Sequence, residues 1–355
     1  MNALRPALRT IRPYTLRSET ARVRLNRNES PFDWPQDWKR QMLARALERP
    51  WCRYPEFVPQ DLIRKLAGRW NWPEEGVVVG NGSNELLQAL ILATLEPGRR
   101  VLTVEPTFVL YAQQAAVAGA EVQVELFGEG WQYDVARLIE RLRKERPTVL
   151  ILCSPNNPTG SWLEPEALAG LAAAVPETLI VLDEAYGEFA GWSAAQLEPR
   201  AQNLVLLKTF SKAAGLAGLR IGYLLASCEI ARAVGRVKVP YSVDFFSALV
   251  AGEALERRTF LEERVGRIVS ERQRLQEGMG RIAGVRVFPS KANFLLFDVD
   301  DPQRVFSALV ARDVLVRDVS GGHPLLAHSL RVTVGLPEEN DLFVAALREA
   351  MEERR

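Results

Sequence analysis

At 355 residues and 47% apolar content, the chain has enough material for one large domain and a smaller one. Its 45 basic residues balance 44 acidic ones, and no block of like charge stands apart; this excludes an electrostatic case for nucleic acid or a membrane surface and leaves small molecules as the expected partners. Three dispersed cysteines, Cys52, Cys153 and Cys228, fit neither a disulfide framework nor a paired-cysteine metal site, two histidines are too few for a histidine-bound metal, and the basic N-terminus lacks the apolar core of a signal peptide, so a reducing cytoplasm is the expected compartment.

Residues 1 to about 30 carry no clear helical pattern, and the aromatic, proline-rich WCRYPEFVP at 51–59 reads as an ordered arm. From Asp61 a helical pattern followed by a β-branched run repeats: DLIRKLAGRW then GVVVG, SNELLQALILATL then RRVLTVEP, TFVLYAQQAAVAG then EVQVEL, DVARLIERLRKER then TVLILCSP, EPEALAGLAAAV then TLIVLDEAY. That alternation predicts a largely parallel sheet with crossover helices. The runs LVLLKTF and LRIGYLLA follow too closely for a helical crossover, so one of them should run antiparallel, and the sheet is expected to end near Arg236. After Val239-Pro240 come a long charged helical stretch, TFLEERVGRIVSERQRLQEGMG, and the short strands VRVFPS, NFLLFDV, VLVRDV and LRVTVG with helices between. The expected organisation is an α/β fold with an N-terminal arm over 1–30, a large domain over 31–238 and a smaller α+β domain over 239–355.

In an open parallel sheet, ligands collect beyond the carboxyl ends of the strands. Four such ends are unusual here. In VVVGNGSNELLQAL, Ser83 and Asn84 open a helix whose free N–H groups suit a phosphate, although a plain capped helix would read the same. Gly80-x-Gly82 with Glu105 downstream also mimics a dinucleotide fingerprint, but its third glycine is Glu85. In TVLILCSPNNPTG two prolines stiffen a turn that offers Asn157 as donor and acceptor. In TLIVLDEAYGEF, Asp183 ends a strand with Tyr186 three residues on. In LVLLKTFSKAAGLAGLRIG, Lys212 follows Thr209 and Ser211 on a small-residue loop leading to Arg220; an apolar pocket near an arginine disfavours its ammonium form and makes the amine a nucleophile toward an aldehyde. Each has a bland reading by itself. Together they supply what pyridoxal phosphate needs: a lysine for its aldehyde, a carboxylate for its ring nitrogen, and donors for its phosphate.

These residues, with RPY at 12–14, LNRNESPF at 25–32, RYPE at 53–56, PTF at 106–108 and LRVTVG at 330–335, resemble the fold type I pyridoxal-phosphate aminotransferases, and within them the histidinol-phosphate subfamily, nearly from end to end. The resemblance implies that Lys212 bonds the cofactor and moves the proton at the substrate α-carbon. It implies that Asp183 keeps the ring nitrogen protonated, Asn157 and Tyr186 bind the ring hydroxyl oxygen, and Phe108 stacks on the ring. Ser83, Asn84, Thr209, Ser211 and Arg220 would hold the phosphate, with Tyr54 reaching in from the second subunit of a homodimer with shared sites. Arg331 matches the arginine that grips an α-carboxylate, and Arg317 and Tyr14 would join it at the phosphate of L-histidinol phosphate, 2-oxoglutarate and glutamate being the other pair. Ser30 stands where the family often has asparagine, and Asn84 where aspartate is frequent.

The competing readings are a broad aromatic amino-acid aminotransferase or a threonine-phosphate decarboxylase of the same fold, which could share every cofactor residue. More remote are an NAD-dependent oxidoreductase, which leaves SPNNPTG, Asp183 and Lys212 unexplained, and a regulator of this fold, for which residues 1–30 offer no DNA-binding domain.

Overall fold

The structure, a computed structural model that describes Leu8 and residues 19–353, builds two sheets. The strands are β1 (Val23–Leu25), β2 (Val77–Gly80), β3 (Arg100–Glu105), β4 (Glu121–Leu126), β5 (Val149–Cys153), β6 (Leu179–Asp183), β7 (Leu204–Thr209), β8 (Gly222–Leu225), β9 (Arg286–Val287), β10 (Phe294–Asp298), β11 (Val314–Asp318) and β12 (Ser329–Thr333). The larger sheet has the order β2-β8-β7-β6-β5-β3-β4. Every pairing in it is parallel except those of β8, which runs antiparallel to both β2 and β7, as the missing crossover between LVLLKTF and LRIGYLLA requires.

The middle strands are apolar except for Lys208 and Thr209 of β7 and Asp183 at the end of β6, because helices cover both faces. Alternation along β5 sends Leu150 and Leu152 to one core and Val149, Ile151 and Cys153 to the other, and β6 and β7 divide in the same way. The last strand of this sheet ends at Leu225, earlier than the expected boundary near Arg236. The intervening residues form a helix, Cys228–Val237, whose Ser227 side chain accepts from the Ile230 amide: CEIARAVGRV alternates at helical and not strand spacing.

The smaller sheet has the order β1-β11-β12-β10-β9. Its strands β9 to β12 come from the C-terminal third and pair antiparallel, while β1 from the N-terminal segment adds a parallel edge to β11. Its core gathers Phe294, Phe297, Leu330 and Val332 with Phe343 and Leu347 of the helix Pro337–Glu352 and Ile268 and Leu275 of the helix Arg258–Gly280. The chain segments of the two sheets meet where the Lys291 amide donates to the Gly160 carbonyl (2.9 Å) and Trp131 packs edge-on to Phe288. The turn after β5 therefore faces β11 and β12 across a cleft. No helix among the described residues is long and apolar enough to cross a membrane.

Candidate active site

A cleft of about 550 Å³ opens between the two sheets. One wall is the end of β3 and the segment after it, with Glu105, Phe108 and Gln113; the turn after β5 contributes Asn157; the opposite wall is β11 and β12, with Arg317 and Arg331, and the loop carrying His323. Arg317 and Arg331 are directly opposed partners in the antiparallel ladder, so both emerge on one face. Two like charges so placed repel, and an anion between them offsets that cost.

The turn after β5 is held by Asn156, which is fully buried. Its Nδ2 donates to the Pro106 carbonyl (2.9 Å) and to Thr159 Oγ1 (2.8 Å), and its Oδ1 accepts from Thr107 (2.6 Å). This fixes Asn157, whose Oδ1 accepts from Arg331. Arg331 also donates to the Asn26 carbonyl (3.0 Å).

Asp183, buried at the end of β6, accepts from the Tyr111 hydroxyl (2.8 Å) and the Ala185 amide (2.9 Å). Burial pushes its carboxyl above the ordinary value, against the pull of those two donors. A cationic ring nitrogen is the partner that would reverse the shift. Tyr186 is buried too, its hydroxyl accepting from Asn28 Nδ2 (3.0 Å), and burial raises its pKa.

Lys212 lies on the loop after β7. Its amine donates to the Arg27 carbonyl (2.9 Å) and sits 5.9 Å from the centre of the Tyr186 ring. The protein packed around it, then the guanidiniums of Arg331 and Arg220, lower its pKa from 10.5 to about 8, with Glu29 and Asp183 opposing. An amine so tuned is partly neutral near neutral pH and can attack a carbonyl carbon.

Thr209 and Ser211 stand beside it: the Ser211 amide donates to Thr209 Oγ1 (3.1 Å), and Arg220 donates to Ser211 Oγ (3.1 Å). Facing them is the start of the helix Gly82–Thr94, whose first turn has no side-chain cap and includes Ser83 and Asn84. Gly82 has φ 74, and a side chain there would run into the Arg220 guanidinium. At Gly222 a Cβ would stand 2.6 Å from the Ser83 amide nitrogen. Uncapped amides, hydroxyls and a guanidinium around a space that only glycine leaves open form an anion cradle.

The donor set thus fits pyridoxal phosphate: a phosphate cradle, a tuned lysine, a buried carboxylate, and an amide and phenol between them. Phe108, Asn157, Arg317 and Arg331 line the cleft; Lys212 feels the charges of Arg331, Arg220 and Asp183 and sits over the Tyr186 ring, and Arg220 in turn holds Ser211 beside Thr209. Tyr54 does not line the cleft of its own chain; it is 81% exposed and stacks on Tyr241, with Phe57 edge-on to the same ring. Tyr14 lies outside the described residues. The dinucleotide-like Gly80-x-Gly82 is closed on itself, because the Glu85 carboxylate accepts from the Asn81 amide (2.5 Å) and from Ser242 (2.9 Å).

Comparison with known proteins agrees with this geometry. Residues 20–347 match the family described as aminotransferase class I and II. The chain belongs to the class I and II aminotransferases. Among curated relatives of this aminotransferase is a histidinol-phosphate aminotransferase of Chlorobium phaeobacteroides, 36% identical over 347 residues, covering 97% of this chain and 96% of the relative. Among solved structures, a histidinol-phosphate aminotransferase from Sinorhizobium meliloti in complex with pyridoxal-5'-phosphate superposes with a TM-score of 0.89 at 25% identity, covering 100% of this chain and 99% of that one. An L-threonine-O-3-phosphate decarboxylase from Porphyromonas gingivalis superposes at 0.80, also at 25% identity, covering 93% and 99%. The aminotransferase has a fold type I architecture.

Two contributors escaped the reading of the sequence. Tyr111 lies in the first turn of the helix Leu110–Ala118, three residues after Phe108, whose ring it meets edge-on at 5.6 Å. The tripeptide Asn26-Arg27-Asn28 gave no signal, since two of its three contacts are made by main-chain carbonyls.

Proposed function

We propose that this aminotransferase moves an amino group between L-histidinol phosphate and 2-oxoglutarate, with pyridoxal 5'-phosphate as cofactor and in a homodimer with shared sites. The observation that carries this reading is the cross-strand pair Arg317 and Arg331 in the cleft, which suits a phosphate-bearing donor. The full-length likeness to histidinol-phosphate aminotransferases supports it.

Bound pyridoxal phosphate supplies an aldehyde that bonds an amine and a ring that accepts electrons from the substrate α-carbon. The chain's own residues do the rest. Lys212 would hold the aldehyde and, as a free amine once the substrate's amino group has replaced it there, would carry the proton at the substrate α-carbon. Asp183 keeps a proton on the ring nitrogen, Asn157 and Tyr186 bind the ring hydroxyl oxygen, and Phe108 covers the ring face. Ser83, Asn84, Thr209, Ser211 and Arg220 hold the phosphate, with Tyr54 of a second copy. Arg331 grips the α-carboxylate of the 2-oxo acid in one half-reaction and, with Arg317 and Tyr14, the donor's phosphate in the other. Residues 31–238 make up the cofactor domain and 239–355 the smaller domain that brings the arginines, with residues 1–30 as an arm. The expected compartment is the cytoplasm.

The likeness to the threonine-phosphate decarboxylase favours a second reading, with a phosphorylated amino acid as substrate. The test adds L-histidinol phosphate, phenylalanine or threonine phosphate to the cofactor-loaded protein and follows the visible absorbance and the products. Histidinol phosphate should bleach the visible band fastest and yield pyridoxamine phosphate, and Arg317→Ala should raise its KM by about tenfold, the value of one charge-assisted hydrogen bond. Carbon dioxide release from threonine phosphate would move the assignment to a decarboxylase. Equal rates with phenylalanine would move it to a broad aromatic transaminase, and a protein that takes up no cofactor would overturn the reading.

A further inference from the structure

The segment that leaves β1 touches three site residues in a row. The Asn26 carbonyl accepts from Arg331 (3.0 Å), the Arg27 carbonyl from Lys212 (2.9 Å), and Asn28 Nδ2 donates to the Tyr186 hydroxyl (3.0 Å). Asn28 is 1% exposed and has φ 54, a left-handed conformation that asparagine tolerates better than most residues. Asn293 Nδ2 holds its carbonyl (3.1 Å).

The direction of each hydrogen bond follows from its neighbours. Thr333 Oγ1 accepts from the Asn28 amide (2.9 Å), so the threonine's own proton is free to go to Asn28 Oδ1 (3.1 Å). That assigns the oxygen of the Asn28 side chain to Thr333 and leaves its NH₂ for Tyr186. A phenol has one proton, and with Asn28 donating to its oxygen that proton has to be given elsewhere. The charged and titratable groups facing Tyr186 are Arg331 on β12, Asp183 on β6, Cys153 on β5 and Lys212 over its ring. Arg331 and the ammonium form of Lys212 cannot accept a proton. The carboxylate oxygens of Asp183 accept from Tyr111 and the Ala185 amide. Among the described residues the Tyr186 hydroxyl accepts from Asn28 and donates to no protein group, so its proton is available to the cofactor's ring oxygen.

We propose that Asn28 is a positioning residue that fixes Tyr186 as a hydrogen-bond donor to the cofactor's ring oxygen, and thereby sets the proton affinity of the cofactor bound to Lys212. The inference rests on the cofactor reading above, with Tyr186 at the ring hydroxyl. A donor on that oxygen favours its anionic form and lowers the proton affinity of the conjugated system joined to it. Such a residue acts on the cofactor without touching it.

The test is Asn28→Asp, which has the same shape. Its carboxylate still accepts from Thr333 but offers Tyr186 an acceptor in place of a donor, so the phenol's proton turns away from the cofactor. The pH titration of the visible absorbance of the loaded protein should have its midpoint raised by about one unit, a tenfold change in proton affinity. In a Tyr186→Phe background the same change should add nothing, because the phenol it acts through is gone. Should Asn28→Asp fold poorly, Asn28→Gly accepts the left-handed backbone and should give a smaller rise of the same sign. An unmoved midpoint in Asn28→Asp would overturn the inference. So would a shift that persists in the Tyr186→Phe background, which would mean that the new charge acts by itself. A wild-type protein that develops no visible band with pyridoxal phosphate would remove the cofactor reading, and this inference with it.

Discussion

Lys212 should titrate near pH 8 in the cofactor-free protein, against 10.5 for an ordinary lysine. The causes are burial first, then the Arg331 and Arg220 guanidiniums. At pH 7.5 such an amine is neutral about a quarter of the time, roughly 200-fold more than an unperturbed lysine. The assay is reaction with a small aldehyde and a reducing agent over a pH series, with labelling at each of the seven lysines read by mass spectrometry. Lys212 should label with a midpoint near pH 8, and Arg331→Met, which removes one nearby positive charge, should move that midpoint upward.

The same shift has a stability consequence of definite sign. Between pH 8 and 10.5 the unfolded chain binds more protons at this lysine than the folded one, so the lysine's burden on stability is full below pH 8 and fades as pH rises to 10.5. The drop corresponds to about 3 kcal/mol, less whatever its residual solvent contact screens. Lys212→Met should therefore be more stable than wild type below pH 8, with the advantage vanishing toward pH 10.5. A labelling midpoint near 10.5, or a pH-independent stability difference, would refute the account of an amine tuned by burial and two guanidiniums.

Two further outcomes follow from contacts near the site. Lys208 is fully buried and pairs with Glu184 at 2.9 Å and Glu188 at 3.4 Å, 4.6 Å from the Trp70 ring centre; the carboxylates hold its ammonium protonated although burial opposes it. Lys208→Met should lower stability by about 3 kcal/mol in denaturant melts, because it strands a buried carboxylate, and Lys208→Met with Glu184→Gln should recover much of that; unchanged melting of the single variant would contradict the buried pair. Gly222→Ala should weaken cofactor binding about tenfold or more in a titration, since its Cβ would meet the main chain at Ser83 and Lys208. Gly235→Ala, on a helix with open space around it, should bind normally and melt slightly later, and equal effects of the two would contradict a cradle that depends on glycine.

Much of the site was legible along the chain because a parallel sheet gathers its strand ends. Asp183, Asn157 and Lys212 each follow an apolar run, and once those runs pair in register the residues after them are neighbours whatever the loops do. The antiparallel β8 was legible for a similar reason: the eight residues SKAAGLAG between the two runs are too few to cross a sheet by way of a helix. The early end of the sheet was missed although the helical spacing of Ile230, Ala231, Val234 and Val237 behind Ser227 marks it.

What the sequence by itself determined is therefore the chemistry: which groups exist, and which of them end strands. Only the tertiary structure decided how they are tuned. The Arg317–Arg331 pair depends on the register of β11 with β12. The lowered pKa of Lys212 depends on burial and on guanidiniums far away in sequence. The hold of Asn26, Arg27 and Asn28 on Arg331, Lys212 and Tyr186 spans between 158 and 305 residues. Main-chain carbonyls are the same at every position and burial is a property of the packed whole, so neither leaves a mark in a local motif.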